Sequence, residues 1–158
     1  MRIKLFLFLL ICSCSTFLTA QEMTLAKMIS FHENNYEYFN SVMTDLKYYF
    51  FESRQKDSTI DYLYIRNTGT ETLFESEIFT YTKFSSGGNI LLEYSTKRVE
   101  QFNKIKSDAR HLDFKITSQI KYHGKPAVIY ESDYYLLALT KENSEPFGWV
   151  YKSYLEKL

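Results

Sequence analysis

The amino-acid sequence predicts an α+β protein made of two helix-plus-four-strand repeats, with a mostly antiparallel sheet and helices packed on one face. Helical spacing of apolar residues occurs twice, and each time it is followed by segments with the two-residue period of strands. Hydrophobic residues make up 45% and aromatic residues 18% of the 158 positions, which supplies a core and excludes disorder as the main state.

Residues 1–20 predict a secretory signal peptide that is absent from the mature protein. Arg2 and Lys4 form a positively charged n-region, and residues 5–11 are an unbroken apolar h-region. Small and polar residues follow up to Ala20. The apolar run is too short for a membrane-spanning helix, which needs roughly 20 residues. We therefore expect a periplasmic or secreted protein whose single domain covers residues 21–158.

The only cysteines, Cys12 and Cys14, both lie in the predicted signal peptide, so the mature chain is expected to have no disulfide. A competing interpretation is a lipoprotein cleavage box, in which Cys14 would carry a lipid anchor. Removal of Arg2 and Lys4 leaves 17 basic and 19 acidic residues, a formal charge of −2. This balance argues against a nucleic-acid partner.

In the first half, apolar residues at helical spacing from Leu25 to Leu46 predict one helix that ends near Lys47. The sequence then changes to a two-residue period rich in aromatic side chains, which is typical of strands. The four strands are predicted at residues 48–53, 59–66, 71–84 and 89–95. Polar and glycine-containing turns separate them.

In the second half, Thr96 is expected to cap a helix that turns Val99, Phe102, Ile105 and Ala109 inward. The next four strands are predicted at residues 112–121, 127–131, 134–140 and 147–155. Strict alternation in the first of them places Ile116 and Ile120 on one face.

A direct comparison of the two halves supports an internal repeat. When the sequence from Glu37 onward is aligned with the sequence from Glu100 onward, Glu37, Phe39, Asn40, Asp45 and Phe51 meet Glu100, Phe102, Asn103, Asp108 and Phe114. Five identities in this fifteen-residue window exceed the roughly one expected by chance. The repeats are predicted at about residues 23–95 and 96–158.

The sequence predicts no catalytic residue, no metal site and no cofactor, so we expect the protein not to be an enzyme. Asp108, His111 and Asp113 are close in sequence, but no second histidine is near them. Glu75 and Glu77 share one face of a predicted strand, where we expect them to be solvated rather than catalytic.

The 14 tyrosines and 13 phenylalanines exceed what a core of this size requires. Phe50, Phe51, Phe114 and Tyr130 are assigned to the core because their neighbours are apolar. The candidate binding residues are Tyr62, Tyr64, Tyr134, Trp149, Tyr151 and Tyr154. An aromatic sheet face of this kind can bind a protein partner, and the alternative interpretation is ordinary cross-strand aromatic pairing.

Segments 35–40, 93–96, 102–106 and 112–115, together with the end of the signal peptide, resemble small uncharacterised exported proteins of Bacteroidota-type bacteria. This resemblance covers most of the mature chain and implies no activity.

Segments 133–138 and 147–155 resemble the last strands of an SH3-like barrel, including its bacterial cell-wall-associated relatives. The resemblance implies an aromatic groove formed by Tyr134, Tyr151 and Tyr154 that binds cell-wall glycan or peptide. The predicted helix after Thr96 interrupts the barrel pattern.

Overall fold

The computed structural model describes residues 22–67, 76–86, 88–144 and 148–158, which contain three helices and eight strands. The helices are α1 (Leu25–Glu33), α2 (Tyr36–Asp45) and α3 (Val99–His111). The strands are β1 (Tyr49–Gln55), β2 (Thr59–Asn67), β3 (Ser76–Phe84), β4 (Ile90–Thr96), β5 (Lys115–Tyr122), β6 (Lys125–Glu131), β7 (Tyr135–Ser144) and β8 (Gly148–Lys157). The predicted signal peptide with both cysteines, and Glu75, lie outside the described residues. No helix in the described segments is long and apolar enough to cross a membrane.

The first predicted helix is in fact two helices that meet at residues 34–35. Asn35 occupies the N-cap of α2, and its side chain accepts a hydrogen bond from the backbone N–H of Tyr38 at 2.9 Å. An asparagine side chain satisfies a free N–H group at a helix start but competes with the backbone inside a helix. The chain therefore breaks and restarts here, although the apolar spacing continues through the break.

The third helix begins after the residue that was expected to cap it. Thr96 is the last residue of β4, and Arg98 occupies the N-cap position of α3. The Thr96 hydroxyl group accepts a hydrogen bond from the Arg98 backbone N–H at 3.1 Å. Thr96 therefore stabilises the turn between β4 and α3 rather than the helix end itself.

All eight strands form one antiparallel sheet in the order β1-β2-β3-β4-β8-β7-β6-β5. Each half contributes four consecutive strands, and the two last strands, β4 and β8, pair at the centre. The helices pack against the sheet, as the predicted α+β class requires. The duplication of one ancestral unit remains a prediction.

The main core lies between the helices and the sheet and is unusually aromatic. Phe31 of α1 and Phe39 of α2 contact each other edge to face, with ring centroids 5.0 Å apart. Both rings lie 5.7 Å from the ring of Phe79 in β3. A large side chain that is fully buried in this way contributes roughly 1.5–3 kcal/mol. These contacts join α1 and α2 to β3, and α1 also reaches β8 through His32 and the Leu155 carbonyl.

The two halves share the geometry of the helix-to-strand junction, which lies at Leu46 in the first half and at Leu112 in the second. The backbone N–H of Leu46 bonds the carbonyl of Val42, and that of Leu112 bonds the carbonyl of Asp108, both at 2.9 Å. The residues that follow each leucine, at positions 47 and 113, have positive φ angles of 65° and 60°. The first hairpin of each half also has its bulge at the same place, immediately after the first two residue pairs of the hairpin.

This correspondence corrects the predicted alignment of the repeats. Tyr49 pairs with Ile65 in the first half, and Lys115 pairs with Glu131 in the second. Both strands of the first hairpin therefore match when Tyr49 is aligned with Lys115. The alignment that starts from Glu37 and Glu100 is wrong for this region, because identities in short windows do not measure backbone register.

Two phenylalanines that were assigned to the core are exposed because β1 is an edge of the sheet. Phe50 and Phe51 are each 51% exposed. Ile116 and Ile120 are also exposed, and the β5 bulge places them on opposite faces, since Ile116 pairs with Tyr130 and Ile120 with Ala127. By contrast, Phe114 and Tyr130 are buried as predicted.

Candidate functional site

The six candidate binding residues do not form one surface. Tyr64 is only 1% exposed and faces the helices. Its hydroxyl group bonds the Tyr36 hydroxyl at 2.8 Å and the Asn40 side-chain oxygen at 2.7 Å. Burial is the main cause that raises the pKa of Tyr64 well above its ordinary value. Tyr64 is therefore a core residue, and its assignment to a binding face is wrong.

Tyr62 lies beside Tyr64 in the same layer and is half-buried. Its ring is 4.8 Å from the ring of Tyr36 and 6.2 Å from that of Tyr81, its partner on β3. This is the cross-strand aromatic pairing that the sequence left open as the alternative. Tyr62 thus belongs to the contact between α2 and the sheet.

Tyr134, Tyr151 and Tyr154 do not form the aromatic groove that the barrel resemblance implied. Tyr154 is buried on the sheet face opposite the helices, next to Tyr122, whereas Tyr151 contacts the helix side. Tyr134 is 67% exposed in the turn before β7. β7 and β8 are inner strands of the eight-stranded sheet, so the resemblance to the end of a small barrel is wrong as a description of the fold.

Trp149 and Tyr151 do lie together, on the helix side of β8. Trp149 is 49% exposed, and the Lys141 ammonium group lies 4.1 Å from its ring centroid and 5.7 Å from that of Tyr151. The ring of Phe102 in α3 is 5.0 Å from the ring of Tyr151. We call these four residues, Phe102, Lys141, Trp149 and Tyr151, the Trp149 surface.

Local sequence explains this arrangement. Trp149 and Tyr151 are two apart on β8 and therefore share a face, and Lys141 of β7 is paired directly with Tyr151. A lysine over an indole ring is attracted by the negative face of the π system. The surface therefore combines exposed aromatic area with a cationic side chain.

An apolar groove of about 570 Å³ adjoins the Trp149 surface, between α3 and strands β5, β6 and β7. We call it the α3 groove. Its lining includes Phe102, Lys106, Lys121, Val128, Tyr130, Leu139 and Lys141. Sequence reasoning missed it, because the groove needs one helix and three strands that are distant along the chain.

A second cavity, of about 430 Å³, includes residues of β2, β3, β4, β7 and β8 and of both outer hairpins. It is polar, and its lysines are paired with acidic groups: Lys56 with Asp61 at 2.6 Å, and Lys152 with Glu93 at 3.1 Å. Burial alone would lower the pKa of Lys152, but the neighbouring Glu93 carboxylate raises it above its ordinary value. The charges of this cavity stabilise one another and do not identify a ligand.

Of the residues considered for a metal or acid–base site, Asp108 has a structural contact and His111 does not lie in the interior. Asp108 accepts a hydrogen bond from the backbone N–H of Leu25 at 3.2 Å, and His111 is exposed. Within the described segments, no group of three histidine, cysteine or acidic side chains could hold a metal ion.

Glu77 was expected on a solvated face, but it is 1% exposed. It accepts hydrogen bonds from Tyr48 at 2.7 Å and from the Arg66 Nε at 3.0 Å. The expectation failed because the sequence of one strand does not reveal that Arg66, the cationic partner of Glu77, lies opposite it on the neighbouring strand.

Comparison with known proteins gives no match: no family model, no curated protein and no solved structure is significantly similar to this chain.

Proposed function

We propose that the protein is an exported, non-enzymatic binding protein that contacts a protein partner through the Trp149 surface. The observation that carries this proposal is the half-exposed Trp149 ring beneath the Lys141 ammonium group, 4.1 Å from the ring centroid. Tryptophan and tyrosine are among the residue types that most often dominate a protein interface.

The contact would gain free energy from exposed aromatic area that costs little side-chain entropy to cover. Trp149, Tyr151 and Phe102 present large rings with few rotatable bonds, so little side-chain entropy is lost when a partner covers them. A partner that supplies an acidic or carbonyl group near Lys141 would also satisfy its remaining N–H donors.

Site-specific photocrosslinking in the source organism tests this proposal. A photoreactive phenylalanine is placed at Trp149, and the matched control position is Tyr134, which is more exposed and lies at the other end of β8, where its carbonyl bonds the Leu158 backbone N–H. We expect a discrete protein adduct from position 149 that is missing from position 134. Equal adducts at both positions, no protein adduct, or capture of envelope glycan instead would contradict it.

A further inference from the structure

The α3 groove exists because two positions that are tyrosines in the first half of the chain hold smaller side chains in the second half. Strand register pairs Tyr62 with Tyr81 in the first half, and Val128 with Leu139 at the equivalent positions of the second. Tyr36 of α2 packs between the two tyrosines, with ring centroids 4.8 Å and 5.7 Å away. The same space beside α3 remains open.

One residue of the groove lining, Tyr130, also has a buried hydroxyl group that lacks a partner among the described residues. In the first half, the Tyr64 hydroxyl bonds Tyr36 and Asn40 of α2. The residue equivalent to Tyr64 is Tyr130, and those equivalent to Tyr36 and Asn40 are a phenylalanine and a lysine, neither of which accepts a hydrogen bond. The Tyr130 hydroxyl is buried and has no partner among the described residues. An unsatisfied buried group is destabilising, and a ligand with an acceptor oxygen would satisfy it.

The charges on the groove are all of one sign. Lys106, Lys121 and Lys141 line it, and no acidic side chain of the described chain does. None of these three lysines forms an ion pair with an acid in the described segments, unlike the lysines of the polar cavity. Unpaired ammonium groups beside an apolar wall attract an anion more strongly than they would in open water.

We propose that the α3 groove binds a single-chain amphiphile with an anionic head group, such as a fatty acid carboxylate. The apolar chain lies against Phe102, Val128 and Leu139. The head group lies beside Lys106, where the Tyr130 hydroxyl donates a hydrogen bond to it. A volume of about 570 Å³ falls in the range typical of small-molecule sites. The site adjoins the Trp149 surface and shares Phe102 and Lys141 with it, whereas Trp149 and Tyr151 do not line the groove.

The test is isothermal titration calorimetry on protein expressed from the full-length sequence, purified and stripped of lipid. Dodecanoate is compared with dodecyltrimethylammonium and dodecyl maltoside, which carry the same chain on a cationic and a neutral head group. We expect dodecanoate to bind one site at least about tenfold more tightly than either. Equal affinity for the three compounds, or no dodecanoate binding, would overturn the proposal.

Two pairs of variants locate the binding. Val128→Tyr fills the groove as Tyr62 fills the first half, and its control is Ile116→Tyr on the exposed edge strand. Lys106→Gln removes one groove charge, and its control is Lys115→Gln, which is exposed and does not line the groove. Each groove variant should weaken dodecanoate binding at least about fivefold and each control less than about twofold.

Circular dichroism and the melting temperature confirm that every variant is folded before it is compared. Loss of binding in both members of a pair would place dodecanoate elsewhere and overturn the proposal. So would a Val128→Tyr variant that loses the Trp149 crosslink but keeps dodecanoate, because the groove would then belong to the protein interface. Failure of the crosslink alone, with dodecanoate binding intact, would count against the proposed function only.

Discussion

Tyr64 and Tyr130 occupy equivalent positions in β2 and β6, yet only the Tyr64 hydroxyl group has hydrogen-bond partners among the described residues. The difference follows from the helix above each tyrosine. α2 supplies Tyr36 and Asn40, whereas α3 supplies Phe102 and Lys106 at the equivalent places. The first half is therefore a closed aromatic core, and the second half keeps a groove and an exposed aromatic surface.

Removal of the two hydroxyl groups should have unequal effects on stability. Tyr64→Phe leaves Asn40 without its partner and should lower the free energy of unfolding by about 1–2 kcal/mol. Tyr130→Phe removes an unpaired group and should change it by less than about 0.5 kcal/mol or raise it. Urea denaturation of both variants measures the difference, and equal losses would show that the Tyr130 hydroxyl has a partner.

Glu77→Gln should be strongly destabilising because it leaves Arg66 beside a neutral group in the interior. Breaking a buried ion pair from one side costs about 3–5 kcal/mol. The control is Glu52→Gln, whose carboxylate pairs with Arg54 in a partly exposed position where such pairs contribute about 0–1 kcal/mol. Chemical denaturation near neutral pH gives both values, and a loss at Glu77 as small as that at Glu52 would contradict the buried network.

Stability should fall as the pH decreases from about 6.5 towards 4, in part through His32. Burial is the main cause that lowers the pKa of His32 to about 4, and its Nε2 lies 3.1 Å from the Leu155 carbonyl oxygen. The unfolded chain binds a proton at His32 more readily than the folded chain does. The stability that the neutral His32 contributes is therefore complete above the unfolded pKa of about 6.5 and is lost as the pH falls from there towards 4.

The comparison of unfolding free energies at pH 7 and pH 4.5 tests this dependence. His32→Gln keeps a donor for the Leu155 carbonyl but does not titrate, so it should lose less stability between the two values than the wild type. His111→Gln, at an exposed position, should behave as the wild type does. The same pH slope in all three proteins would exclude His32 as the cause.

Phenylalanines that look alike in the sequence should differ sharply in their effect on stability. Phe39→Ala should lower the free energy of unfolding by about 3–5 kcal/mol, because its ring is fully buried. Phe51→Ser, on the exposed edge strand, should change it by less than about 1 kcal/mol. Thermal and urea unfolding of the two variants provide the measurement. A large loss at Phe51 would show that another part of the protein covers β1.

Much of the element order could be predicted, because helix and strand periods are local properties of the chain. The helical spacing that starts at Leu25 falls in α1 and α2, and the strand predicted at residues 127–131 falls in β6. The break at Asn35 was missed since apolar spacing continues across it. Element type is thus easier to predict than the interruptions that caps introduce.

Features that depend on strand order could not be predicted. Phe50 and Phe51 were assigned to the core because the sequence does not say which strands are edges. The β5 bulge reverses the face of every later side chain in that strand, and no residue type marks it. Of the candidate site, Trp149 and Tyr151 remain together because they share one strand, whereas the α3 groove requires contacts across the sheet.

The most direct test of the account is the affinity of the partner captured at position 149. Trp149→Ala should weaken binding at least about 30-fold, the loss expected of a residue that dominates an interface, while Tyr134→Ala should change it less than about threefold. Equal losses at the two positions, or an unchanged affinity in Trp149→Ala, would contradict the proposal that the second half carries the binding surface.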